Sequence, residues 1–270
     1  MIIAKAREPR ALQSADSVSK LELFMRTGNP MLNDSTFSSV AVRGDIRPMT
    51  LGGVVHKSFI LLALVAGTAA FAWTYSVTHP AFLYPALMGG AFGGLVIGML
   101  TAFKRTWAPV TSPLYAVLQG LFIGTLSVSL ETRFPGIVFQ AVCLTFGVAF
   151  ALLGAYQCRL IRASQTFRSV IVAATGGILI VYLVNLVFSL FSHRSFPFLQ
   201  DSSPLSIGFS LFVVVIAALN LVLDFDFIES GVAAGAPKWM EWYAAFGLTV
   251  TLIWLYIEVL RLLSKLRRND

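Results

Sequence analysis

Seven apolar runs of about 20 residues, separated by short polar connections, dominate this 270-residue chain. Each run is long enough for an α-helix to cross a hydrocarbon core about 30 Å thick. The runs are 58–77, 82–103, 112–130, 136–156, 169–191, 205–227 and 241–263. With 57% apolar residues, 12% charged residues and a mean hydropathy of +0.78, the chain reads as a helical membrane protein. Breakers mark the connections, as in Thr78-His79-Pro80, Thr132-Arg133-Phe134-Pro135-Gly136 and Gly235-Ala236-Pro237. The expected fold class is all-α: a polytopic seven-helix bundle over 41–268, after a polar, disordered cytoplasmic segment at 1–40. Residues 1–24 are polar and aperiodic, and Met25, followed by Arg26 and Thr27, is expected to be the true start. No signal-peptide pattern is visible in the polar first 40 residues.

Orientation follows from the cations. Arg43, Arg47 and Lys57 precede the first run, Lys104 and Arg105 follow the second, and Arg159, Arg162 and Arg168 follow the fourth. The first connection has none, the third only Arg133 and the fifth only Arg194. A cytoplasmic N-terminus in the cell (inner) membrane is expected. Seven crossings then put Arg261, Lys265, Arg267 and Arg268 outside, against that bias. A re-entrant last hairpin would avoid the conflict, but run 241–263 is long enough to span, so seven crossings are expected.

The net charge of +7 is mostly this inner-face bias, suited to anionic headgroups of the lipid bilayer. The cations are spread over separate loop ends rather than one stripe, so no nucleic-acid partner is expected. Cys143 and Cys158 share the fourth helix about 22 Å apart at 1.5 Å per residue and cannot pair with each other. His56, His79 and His193 lie in different connections without metal-ligand spacing. There is no HExxH, GxSxG or Walker loop, no aspartate in the seventh run for an intramembrane aspartyl protease, and no lysine mid-helix for a Schiff base. The chain is not expected to be an enzyme. In "GGAFGGLVIG", Gly89 and Gly93, and Gly90, Gly94 and Gly98, recur every four residues, which lets a neighbouring helix approach closely. Gln119, Gln140 and Asn185 are expected to bond between helices.

The sixth run ends in "NLVLDFDFIES", three carboxylates where acids are costly. On a helix, Asn220 and Asp224 share one face at i, i+4, whereas Asp224 and Asp226 are about 200° apart. The Asn220 face extends back through Ile216, so Asp224 is the expected buried acid. Asp226 and Glu229 are expected at headgroups or paired with Lys104, Arg105 or Arg159.

"LVLDFDFIES" followed by "GAPKWMEWYAAFGLTVTLIWLYIEVLRLLSKL" resembles the C-terminal signature of the Bax inhibitor family (transmembrane Bax inhibitor motif proteins) in its larger bacterial branch. "NPMLNDSTF" is similar to that branch's amino-terminal motif. The resemblance covers about 27–268 and implies a seven-helix bundle with the last helix central. It further implies a pH-sensitive calcium leak gated by aspartates on the sixth and seventh helices. The family's first aspartate falls on Asp224, in "DFDFI". Its second falls on Thr251 when the "LLRLL" arginine is aligned, or on Glu258 when "LYIE" is. Glu258 lies two turns from Thr251 on the same face, with Arg261 at i+3. Calcium prefers hard oxygen ligands, which Asp224 beside Asn220 offers to a bound or permeant ion; no other cofactor is expected. A regulatory subunit that binds a membrane protease or channel without its own flux, and a secondary transporter, are the alternatives. No inverted repeat is evident for the latter.

Overall fold

The computed structural model describes residues 48–192 and 201–268, except for the side chain of Leu190. The polar segment expected at 1–40, the expected start at Met25, and His193 and Arg194 lie outside the described residues. Among the described residues seven α-helices follow one another: α1 (Leu51–Thr78), α2 (Pro80–Phe103), α3 (Ala108–Glu131), α4 (Ile137–Gln157), α5 (Gln165–Ser192), α6 (Pro204–Ala233) and α7 (Met240–Leu266). All seven are long and apolar enough to cross a membrane.

Local chemistry sets the helix ends. The Thr50 hydroxyl accepts from Gly53 N (3.1 Å) at the start of α1. Ser203 does the same for α6, with Pro204 as the first helical residue. Gly136 stands before α4 with φ +82°, a conformation glycine adopts without strain, and the Glu131 carboxylate accepts from Gly136 N and from Val138 N (3.1 Å). Inside the helices, Thr101, Thr125, Thr145 and Thr249 donate to carbonyls one turn back, which satisfies their hydroxyls without a partner helix.

α7 is the axis of the bundle. It packs against α1, α3, α4 and α6, and 61% of its most apolar window is buried, against 11% for α5. Phe246, Leu255 and Leu260 of α7 join Leu61, Ile123, Ile137 and Leu221 in the main apolar cluster. Met240 and Tyr243 anchor a second cluster with Met49, Val54 and Phe227. α2 lies on α3 at the periphery and α5 lies mainly on α6.

α7 is one unbroken helix, so the re-entrant alternative does not hold. The cations near its end are absorbed by hydrogen bonds. Arg261 bonds Glu258 and Tyr182, Lys265 donates to Ser206 and Ser210, and Arg267 donates to Pro135 O and Gln140 Oε1.

Of the two glycine rows in α2, Gly90, Gly94 and Gly98 are buried against α3. A Cβ on Gly90 would stand 2.7 Å from Phe122 N and 2.8 Å from Leu118 O. In the other row, Gly93 meets only the Leu118 side chain and Gly89 faces open space.

Candidate functional site

The acids at the end of α6 separate by face. Asp224 is 0% exposed and Asn220 is buried one turn before it. The Asn220 amide nitrogen donates to Thr175 Oγ1 of α5 (2.9 Å) and to Ile216 O (2.8 Å), which ties α6 to α5 at this level. Asp226, on the opposite side, keeps 19% of its side chain exposed and pairs with Arg168 in the second turn of α5. Glu229 accepts from the Tyr156 hydroxyl of α4 (2.6 Å).

These partners differ from the expected Lys104, Arg105 and Arg159. The α4–α5 connection turns sharply, with Arg159 at φ 56°, and brings the start of α5 beside the end of α6. Arg168 also donates through Nε to Ala163 O (3.0 Å), which holds its guanidinium in place while Nη2 faces Asp226.

On α7, Thr251 and Glu258 are both buried. Thr251 donates to Gly247 O at 3.3 Å, a bond within its own helix. Glu258 is ringed by donors: the Tyr182 hydroxyl at 3.0 and 3.1 Å, Trp254 Nε1 at 3.3 Å and Arg261 Nη1 at 3.1 and 3.0 Å. Arg261 also lies over the Tyr182 ring, 4.9 Å from its centroid. This carboxylate faces positive hydrogen-bonding edges on every recorded contact, an arrangement that holds an anion rather than one that strips water from a cation.

Glu241, at the first turn of α7, escaped the sequence reading. It is 0% exposed, pairs with Lys57 of α1 and Lys238 (2.8 Å), and accepts from Thr50 N (2.9 Å) and Thr50 Oγ1 (3.0 Å). Gly53 makes room for it, since a Cβ there would collide with the carboxylate. Beside it, Met49 N donates to Ala236 O, and Pro48 bridges to Pro237. The chain ahead of α1 is thereby clasped to the α6–α7 corner. Only an acid in a helical first turn, favourable to the helix dipole, hinted at this in the sequence.

Among the described residues no three His, Cys, Asp or Glu side chains stand together to hold a metal ion.

A seven-helix bundle whose central helix and its neighbour carry buried carboxylates defines a multi-pass helical membrane protein. A family model described as Bax inhibitor 1 like matches residues 29–268, and the chain belongs to that family. No curated protein and no solved structure gave a match.

Proposed function

We propose that this chain is a cation leak of the cell membrane, with its N-terminus in the cytoplasm, in which Asp224 attracts the permeant ion and responds to pH. Calcium is the first cation to test, as cargo rather than as a bound cofactor. The observation that carries the reading is the burial of Asp224 on α6: an acid with no exposed surface inside a lipid-embedded bundle is costly and is kept for function. Asn220, one turn away, adds an amide. Glu258 is the weaker candidate because donors surround it, and Thr251 contributes a hydroxyl where a second acid would stand.

Flux in liposomes holding purified protein tests this. Passive calcium leak is expected from the parent, and a several-fold change in flux is expected for Asp224→Asn with similar folded yield. Glu229→Gln, whose side chain lies toward α4, should leave flux near the parent's. Equal flux from Asp224→Asn and the parent overturns the assignment. Ion-coupled uptake would make the protein a transporter, and silence would make it a subunit acting through a membrane partner.

A further inference from the structure

A cavity of about 680 Å³ opens between the first turn of α2 and the end of α3, lined by Leu83, Ser129, Leu130, Thr132 and Arg133. Ligand pockets usually span about 300–1,000 Å³. Leu83 and Leu130 are half-buried, whereas Thr132 and Arg133 are exposed, so the cavity has an apolar wall and a polar rim. Aromatic rings mark this end of the bundle. Tyr75 stacks on His79 with 4.4 Å between ring centroids and meets Phe82 edge-on at 4.8 Å. Tyr84, beside Leu83, is 69% exposed. Such rings collect where hydrocarbon gives way to headgroups.

The charge of this cavity is not neutralised by the protein. Arg133 donates from its backbone nitrogen to Leu130 O (3.2 Å), and among the described residues its guanidinium has no partner. Glu131, two residues back, is turned away, its oxygens accepting from Gly136 N and Val138 N at the start of α4. Arg261, Lys265 and Arg267, at the same end of the bundle, are all held by protein groups. A guanidinium left over at headgroup depth suits a phosphodiester, whose two free oxygens match its fork. The hydroxyls of the cavity are of the opposite kind. Ser129 Oγ donates to Thr125 O (2.9 Å), and Thr132 Oγ1 donates to Ser129 O (3.2 Å). Each hydroxyl has one hydrogen, so toward a ligand both oxygens can only accept.

We propose that this cavity holds the headgroup of one glycerophospholipid. Its phosphodiester sits on Arg133, and the N–H or O–H donors of an ethanolamine or glycerol headgroup sit on Ser129 and Thr132. The first acyl carbons rest on Leu83 and Leu130. A choline headgroup has no donor, forfeits the two hydroxyls and binds less well. The site requires no ion flux.

Native mass spectrometry of the delipidated full chain, titrated with phosphatidylglycerol, phosphatidylethanolamine or phosphatidylcholine, tests this. One retained copy is expected, held several-fold more tightly for the first two lipids than for phosphatidylcholine. Arg133→Gln should weaken that copy several-fold, and Arg133→Lys, which keeps a charge without the fork, should weaken it less. Arg162→Gln, at an exposed arginine of the α4–α5 connection, should leave it unchanged. The double variant Ser129→Ala, Thr132→Val should still bind lipid but lose the preference over phosphatidylcholine. Leu83→Trp, which fills the cavity, should lose the copy with Arg133 in place. Thermal melting close to the parent's checks that each variant is folded. Equal retention of the three lipids by the parent overturns the proposal. Equal weakening by Arg133→Gln and Arg162→Gln would mean a general attraction to headgroups and no site. Displacement of the lipid by millimolar inorganic phosphate would assign the cavity to a free anion and overturn the lipid.

Discussion

At the scale of single residues, Thr251 is the position at which the proposed response to pH can be tested most directly. Acid neutralises a carboxylate, so cation flux through a site with one acid should fall on acidification along a shallow, single-proton curve. Thr251 is buried and its hydroxyl donates within its own helix, so Thr251→Asp adds an acid on the central helix without removing a hydrogen bond between helices. The curve should then steepen, measured as flux between about pH 5 and 8. If Glu258 already serves as the second acid, Glu258→Gln will flatten the parent's curve instead, and Thr251→Asp will mainly lower the folded yield. The burial of Asp224 was legible from helical periodicity, because Asn220 and Ile216 extend its face back into the apolar run. The Arg261 partner of Glu258 was legible too, being three residues away. The clasp on Glu241 was only hinted at, since Lys238 is local to "KWMEW" but Lys57 is 184 positions distant and Thr50 is 191. The same holds for Arg168 and Asp226, 58 positions apart. Long-range pairing depends on how connections turn, and that information is not periodic.

At the scale of helices, close approach is written in glycines only where a neighbour's backbone fills the space. Gly90 and Gly89 are adjacent in sequence but opposite in consequence. Gly90→Leu has to push α3 away from α2 and should cost about 1–3 kcal/mol, the usual cost of overpacking. Gly89→Leu projects into open space and should be close to neutral. Thermal melting in detergent, followed by the fraction remaining monodisperse, checks the pair; equal melting of the two would refute the α2–α3 contact. The sequence showed both rows, and the four-residue spacing is the same in each, so only the position of α3 distinguishes them. A second contact of this type was not visible as a motif: Gly120 and Gly124 of α3 let Val65, Thr68 and Ala69 of α1 come close. The helices themselves, by contrast, were evident from apolar length. They extend past the apolar runs where caps such as Thr50 and Ser203 hold the first turn together.

For the whole molecule, seven helices long and apolar enough to cross a membrane are expected to put Leu51 and Leu266 on opposite sides of it. With the N-terminal side cytoplasmic, single cysteines at His79, Arg133 and Arg268 should react with an impermeant reagent applied to intact cells, and cysteines at Arg105 and Arg159 should react only after permeabilisation. Labelling at 105 but not at 79 would reverse the orientation. The bundle's centre has a further consequence, for assembly. The most enclosed helix, α7, is the last of the seven to be synthesised. Until it arrives, Leu61, Ile123, Ile137 and Leu221 lack the side chains of Phe246, Leu255 and Leu260 that complete their cluster, and Lys57 lacks Glu241. The first six helices are therefore expected to stand in the membrane as an incomplete shell until the final helix packs into it. A chain halted before Met240 would leave that shell open.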